Sequence, residues 1–364
     1  MYSPELFMNR CIELGKQALG LAAPNPLVGA LVVHNDYIIG EGYHRNFGNH
    51  HAEVIAINSV KDKSLLREST LYVNLEPCSH KGKTPPCAEL IVNCRIPKVI
   101  IGTPDPNPLV SGKGIQILKK NGVDVRVGIN ETDCIELNRR FFTFWVLNRP
   151  FIILKWAQTS DGFIDLVREP GQTAAPNWIS NEFSRMLVHK WRSEEQAIMT
   201  GTNTVKLDNP LLTTREWKGK DPIRVILDRN LNLPRNLRVF DDRGKVLIVN
   251  EKQSGDQNHL EYIKLKFDSN LPGKIMSELF RRSIQSVIIE GGKKLFESFT
   301  RDNLWDEARV FTGNKLFHEG VKAPALNQEV YKCTRLENDR LFIYKNLNNN
   351  GLLIKSTLHD LKQD

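Results

Sequence analysis

Over the first 145 residues, short apolar runs and amphipathic stretches take turns. NRCIELGKQALGLA (9–22) spaces its apolar residues as a helix does, and LVGALVVHNDYIIGEGYH (27–44) alternates as two strands around Asn35-Asp36, a dipeptide suited to a hairpin turn. A further helix is expected to open at His51. Beyond it TLYVNLEPC (70–78) reads as a strand, CAELIVNCR (87–95) as a helix, KVIIG (98–102) as a strand, GKGIQILKKNG (112–122) as a helix and VDVRVG (123–128) as a strand. Strands alternating with short helices predict an α/β domain, with a largely parallel sheet and helices on both faces.

The pattern breaks at LNRP (147–150) and restarts with FIILKWAQTSDGFI (151–164), WISNEFSRMLVHKWRS (178–193), EQAIMTG (195–201), DPIRVILD (221–228), KVLIVN (245–250) and SVIIEGGKKLFESF (286–299). Apolar runs of four or five residues here read as buried central strands. A chain of 364 residues exceeds what one core usually serves. Two α/β domains in tandem are therefore expected, 1–147 and 148–364.

Charge narrows the partners. Fifty Lys+Arg against 42 Asp+Glu leave +8, which suits anionic ligands, phosphorylated small molecules or nucleic acid. The cations are scattered rather than run together, which favours a solvated basic surface with local phosphate sites over a nucleic-acid tail. MYSPELFMNR has neither a basic start nor an apolar core, and no stretch approaches the roughly 18 unbroken apolar residues of a membrane span. The expectation is a cytoplasmic protein with no membrane partner and no nucleic-acid partner. Six cysteines (Cys11, Cys78, Cys87, Cys94, Cys134 and Cys333) then read as thiols rather than a disulfide framework. Cys11, Cys134 and Cys333 are expected in the core, leaving metal binding or catalysis to those that cluster.

Two segments carry that chemistry, HAEVIAI (51–57) and EPCSHKGKTPPC (76–87). His51, Cys78 and Cys87 supply one imidazole and two thiolates, the three ligands of a catalytic zinc site whose fourth position stays open. Glu53 is then a spare carboxylate, able to act as a general base on water and to hand the proton to a leaving amine. Residues two apart diverge in mid-helix, so His51 and Glu53 converge only in a first turn, with Asn49 or His50 as cap. Zinc deaminases carry H-x-E followed by P-C-x-x-C. Here His51-Ala52-Glu53 and Pro77-Cys78 are present, but eight residues, 79–86, separate the cysteines. SHKGKTPP is a loop by composition and can bring the second thiolate back. The competing reading is a closed structural site, with His80 or Cys94 as fourth ligand, or no metal.

AAPNPLVGALVV, HAE and EPCSHKGKTPPC together resemble the deaminase half of the bifunctional riboflavin biosynthesis deaminase/reductases. LKWAQTSDG, GTNTVKLDNPLLTTR, DPIRVILD and IIEGG resemble the reductase half in order and spacing. The likeness implies a cytidine-deaminase-like three-layer domain followed by a dihydrofolate-reductase-like α/β domain, with Zn2+ and NADPH as cofactors. It also implies a phosphorylated pyrimidine as small-molecule substrate, 2,5-diamino-6-ribosylamino-4(3H)-pyrimidinone 5′-phosphate, and a homo-oligomer. The first half would replace the 2-amino group by oxygen, and the second would reduce the ribosyl group to a ribityl chain. Asn25 and His44 match residues near the base; otherwise they are a turn-former and a surface histidine. Ala157, Trp178, Thr204, Asp208 and the stretch Gly292, Lys293, Lys294, Leu295, Phe296, Glu297 and Ser298 match an NADPH site, where Gly291-Gly292 would let backbone amides approach a pyrophosphate. Taken alone, a Gly-Gly turn after a strand is often just a turn. Lys155, Arg192, Leu212, Arg215 and Glu290 match substrate contacts, with surface ion pairs as the alternative for the charged ones. Three positions depart from the family pattern. Pro176 and Arg229 stand where a serine and a small hydroxyl residue are common, and Ser160 replaces a leucine; Arg229 could instead hold the 2′-phosphate of NADP. A nucleic-acid deaminase with an appended nucleotide-binding domain is the rival reading, and a zinc-stabilised scaffold without turnover is the non-enzyme one.

Overall fold

A computed structural model places residues 3–79, 86–168 and 177–349. Helix α1 covers Pro4–Lys16, earlier at both ends than the pattern predicted. Pro4 suits a first turn, whose N–H has no partner to lose, and residues 17–22 continue only as turns, with Gln17 N donating to Leu14 O at 3.1 Å. Strands β1 (Gly29–His34) and β2 (Tyr37–Tyr43) follow as the expected hairpin. Asn35 and Asp36 take φ of 47° and 64° at its turn, the pair of left-handed residues that a tight hairpin demands. Then come α2 (Ala52–Ser59), β3 (Thr70–Leu75), α3 (Cys87–Asn93), β4 (Lys98–Thr103), α4 (Lys113–Lys120), β5 (Asp124–Val127), α5 (Glu131–Leu137) and α6 (Arg139–Leu147).

These strands order as β2-β1-β3-β4-β5. The β3-β4 and β4-β5 pairs are parallel, but β1 is antiparallel to both β2 and β3. Two of the four pairings are thus antiparallel, so the sheet is less parallel than expected; the two-residue hairpin accounts for one of them. Alternation does the rest. Val32, Leu71, Val73, Val99 and Ile101 face α2, α3 and α4 through Ala56, Ile91 and Leu118. Leu31, Val33, Tyr72 and Ile100 face α1 and α5 through Met8, Cys11 and Cys134. Three layers result, and Cys11 and Cys134 are core residues as expected, whereas Cys333 is exposed.

The first compact unit runs to Leu147 and the second begins at Asn148. The second contains β6 (Phe151–Gln158), β7 (Phe163–Asp165), α7 (Glu182–Glu194), β8 (Ala197–Gly201), α8 (Thr202–Asp208), β9 (Ile223–Leu227), β10 (Val246–Asn250), β11 (Gly255–Gln257), β12 (Leu260–Lys264), α9 (Leu271–Arg281), β13 (Ser286–Ile289), α10 (Lys293–Arg301), β14 (Glu307–Thr312), β15 (Val321–Lys322), β16 (Val330–Leu336) and β17 (Asp339–Lys345). Ten of these strands form one sheet, ordered β11-β12-β10-β9-β8-β13-β6-β14-β17-β16. From β12 to β14 every pairing is parallel; β11, β17 and β16 add antiparallel edges. One face packs on α9 and α10, through Leu279, Phe296 and Phe299. The other packs on α7 and α8, through Val188, Trp191 and Val205. No helix among the described residues is long and apolar enough to cross a membrane.

Candidate active sites

In the first unit His51 is the last residue before α2, with an extended backbone at φ −70° and ψ 161°. Its ring leaves the chain before the helix begins, while Glu53, in the first turn, is 3% exposed. That is how side chains two apart converge. The cap is His51 itself rather than Asn49 or His50, and no side chain caps this helix. Cys78 lies just beyond β3, and Cys87 is the first residue of α3. Nδ1 of His51 is 3.4 Å from the Cys78 sulfur and 3.3 Å from that of Cys87. All three ligand atoms lie within 4.8 Å of one another.

Zinc bonds of about 2.0–2.1 Å to nitrogen and 2.3 Å to sulfur, held tetrahedrally, put ligand nitrogen and sulfur roughly 3.6 Å apart. The spacing therefore fits that ion. Cys94 is not in the group, and His80 lies outside the described residues. One imidazole and two sulfurs are a donor set that such an ion takes. The Cys78 thiol is drawn down to about 4, first by hydrogen bonding from Cys87 and then by His51, against the effect of burial. His51 is raised to about 9, chiefly by its hydrogen bond with Cys78. Burial pushes the Glu53 carboxyl up to about 7, with His51 pulling the other way.

His44 is buried, not a surface histidine, and its ring meets that of His51 edge-on at 5.5 Å. Asn25 Nδ2 donates to His44 Nε2 at 3.0 Å, so Nδ1 carries the hydrogen and donates to the His50 carbonyl at 3.0 Å. Burial, opposed by that carbonyl and aided by His51, lowers the His44 pKa. Two asparagines that the sequence did not single out fix the segment after Asn25. Asn74 and Asn138, both buried, accept from Gly29 N (2.8 Å) and Leu27 N (2.7 Å), and both donate to Leu27 O at 3.0 Å. Gly29 lets α1 pack directly on β1: a Cβ there would lie 2.1 Å from Cys11 O.

The second unit encloses a cavity of about 340 Å3, within the range of small-molecule sites. Lys155, Ala157, Trp178, Arg192, Thr204, Asp208, Leu212, Arg215, Glu290 and Gly292 all line it. They come from β6, the segment before α7, α7 itself, α8 and the segments after α8 and β13. Arg192 is no surface ion pair. Its Nε and Nη2 donate to the two Glu290 oxygens at 3.1 and 2.9 Å, and Lys155 Nζ donates to Oε2 at 3.3 Å. Burial raises the Glu290 carboxyl, but Arg192 and Lys155 overcome it and bring the group down to about 2. Lys155 is lowered by burial and by Arg192.

Lys293, Lys294, Leu295, Phe296, Glu297 and Ser298 do not line the cavity. They form the start of α10, where Phe296 is buried against Trp156 and Lys293 pairs with Glu297. Gly292, at the N-cap, is the part that reaches the site. Arg229 is paired with Glu251 at 2.8 Å outside the lining. Ser160 instead bonds Lys315 O at 3.0 Å, and Pro176 lies outside the described residues. Cavity residues that the sequence reading missed include His189, Arg168 and Arg185. His189 Nδ1 donates to Thr213 O at 2.8 Å, and Arg192 Nη1 donates to the same carbonyl at 3.1 Å. Burial, with Arg192 and Arg215 nearby, lowers His189 to about 4, so its ring is neutral. Arg168 bridges Asp165 and Asp208, and Arg185 lies over the Trp178 ring at 4.7 Å.

Residues 1–103 match the cytidine and deoxycytidylate deaminase zinc-binding region, and residues 150–340 match the RibD C-terminal domain. Riboflavin biosynthesis protein RibD of Synechocystis sp. is 40% identical over 331 residues, covering 89% of this chain and 88% of its own. That of Aquifex aeolicus is 37% identical, covering 86% and 88%. Among solved structures, the diaminohydroxyphosphoribosylaminopyrimidine deaminase/5-amino-6-(5-phosphoribosylamino)uracil reductase of Thermotoga maritima superposes with a TM-score of 0.84 at 37% identity, covering 94% of this chain and 98% of that one. Acinetobacter baumannii RibD (form 1) gives 0.85 at 30%, with the same coverage. Both halves and their order agree across nearly the whole length, and the chain belongs to the RibD family of bifunctional riboflavin biosynthesis deaminase/reductases.

Proposed function

We propose that the first unit hydrolyses the 2-amino group of 2,5-diamino-6-ribosylamino-4(3H)-pyrimidinone 5′-phosphate to ammonia, and that the second reduces the ribosyl group of the product to ribityl with NADPH. The observation that carries the reading is the three-ligand group, with Glu53 buried in the adjoining helix turn and left outside it. His51, Cys78 and Cys87 would hold a zinc ion, which would supply Lewis-acid activation of water. Glu53 accepts a proton from the attacking water and delivers it to the departing nitrogen. Asn25 and His44 form a rigid donor–acceptor pair on one flank, suited to reading the edge of a base.

In the second unit NADPH supplies the hydride. Gly292 and Thr204 would let it approach the backbone between α8 and α10. Arg215, beside a neutral His189, suits the substrate phosphate, since a guanidinium donates two bonds in one plane, while Arg192, bound to Glu290 and Thr213 O, would contact substrate as the fixed positive wall of the same site. Lys155 and Glu290 would hold the sugar, with a proton available at Lys155 Nζ for its oxygen. The test supplies the diamino substrate with and without NADPH and follows ammonia and NADPH oxidation separately. Ammonia should appear in both cases and NADPH loss should follow it. Absence of ammonia from metal-loaded protein would sink the deaminase assignment.

A further inference from the structure

Glu76 stands between β3 and Cys78 and touches no metal ligand's side chain in the hydrogen-bond network. Its side chain is buried, and its carboxylate accepts four backbone N–H groups. Oε2 takes those of Asp105 (3.2 Å) and Gly112 (3.0 Å); Oε1 takes those of Gly114 (2.9 Å) and Ile115 (3.2 Å). Its own N–H donates to Thr103 O at 3.0 Å. One carboxylate thus ties the end of β3 to the turn after β4 and to the first turn of α4. A buried carboxylate is costly unless its lone pairs are filled, and four charge-assisted bonds fill them.

The clamp is closed from the other side by backbone. A Cβ on Gly114 would lie 2.0 Å from Pro77 O and 3.2 Å from Glu76 Oε1, so α4 rests directly on the peptide that precedes Cys78. Opposite, Ala88 N donates to Cys78 O at 3.2 Å and Cys87 N to the Cys78 sulfur at 3.4 Å. Cys78 is therefore gripped between the first turns of α3 and α4. Glutamine at position 76 would keep one acceptor oxygen and turn an NH2 group toward amides that can only donate.

We propose that Glu76 is a positioning residue of the deaminase centre, whose four-amide clamp sets Pro77-Cys78 where the Cys78 sulfur meets His51 and Cys87, and so governs how tightly the ion is held. This rests on the zinc reading above. The test uses the full chain with cobalt(II) in place of zinc, reading the thiolate-to-cobalt charge-transfer band and the affinity in competition with a chromophoric chelator. Reductase activity in the same samples serves as a control. Glu76→Gln and Gly114→Ala should each weaken metal binding 10- to 100-fold, the usual range for residues supporting a metal's ligands, and shift the band while reductase turnover stays unchanged. Wild-type protein that takes up no cobalt would sink the zinc reading itself. Cobalt uptake by wild type, with Glu76→Gln binding within twofold and showing an unaltered band, would overturn the clamp. Should Glu76→Gln fail to fold, Gly114→Ala decides on the same two readouts.

Discussion

Replacing Glu290 by glutamine removes one charge and almost no volume, which makes it a clean probe of the reductase cavity. The carboxylate is 13% exposed and shared by Arg192 and Lys155. Its pKa falls from 4.5 to about 2 on folding, a difference of about 2.5 units at 1.36 kcal/mol each, or about 3 kcal/mol. Glutamine mimics the protonated acid, so that is the expected loss of stability at pH 7. It agrees with the roughly 3–5 kcal/mol for breaking a buried ion pair by removing one partner. Against a usual total of roughly 5–15 kcal/mol, it is a large share.

Because the folded pKa is depressed, the wild-type advantage is complete above about 4.5 and drains away as pH falls toward 2. Five of the six tryptophans lie in the second unit, at positions 156, 178, 191, 217 and 305. Urea unfolding followed by tryptophan fluorescence at pH 7 and at pH 3.5 therefore reports the unit concerned. Lys155→Met combined with Glu290→Gln should cost less than the sum of the single changes by about 1–3 kcal/mol, since the lysine loses its partner once, not twice. A Glu290→Gln protein within 0.5 kcal/mol of wild type at pH 7 (about one-sixth of the expected loss), or a gap that widens on acidification, would refute this account of the cluster.

Glu53→Gln should retain zinc by elemental analysis but lose ammonia release by about 10²- to 10⁴-fold, while reductase turnover on the deaminated intermediate stays normal; undiminished ammonia would remove Glu53 from its role. Cys78→Ser and Cys87→Ser should each abolish stable zinc uptake. Chelation of the wild type should likewise stop deamination yet spare NADPH oxidation when the deaminated intermediate is supplied, and loss of NADPH oxidation on that intermediate would contradict separate sites. Arg229→Ala should leave NADPH binding and its preference over NADH nearly unchanged, because the side chain is paired with Glu251 outside the cavity lining; a selective loss for NADPH would overturn that.

Legibility followed the kind of signal each residue carries. His51, Glu53, Cys78 and Cys87 were readable because few other jobs use those residue types together, and the long gap between the cysteines did not hide them. The reductase residues were readable only through resemblance. Lys155, Arg192 and Glu290 come from a strand, a helix and a strand end, and no local spacing announces that they meet. Helices α5, α6, α8 and α9 were missed, as were β11, β12, β14, β15 and the β16–β17 hairpin. In β16, Val330, Tyr331, Lys332 and Cys333 are all exposed, so an edge strand lacks the buried alternation on which a pattern reading depends. Asn74 and Asn138 give no sign of their task either, since it is defined by backbone atoms far along the chain.

Glu76 shows why that last class escapes sequence reading. By composition it is one more acid at a strand end, and its partners are main-chain amides at 105, 112, 114 and 115, whose side chains carry no information about the contact. The logic becomes visible only with the topology. Helices α2 and α3 pack on the same face of the sheet, and both open at the edge where β3 ends, which is where ligands collect in α/β sheets. His51 and Cys87 are delivered by helix starts, which hydrogen-bonded turns make rigid. Cys78 is delivered by a strand end, which needs an anchor of its own. A carboxylate that satisfies four amides at once is such an anchor, and it costs no side chain from the centre it supports.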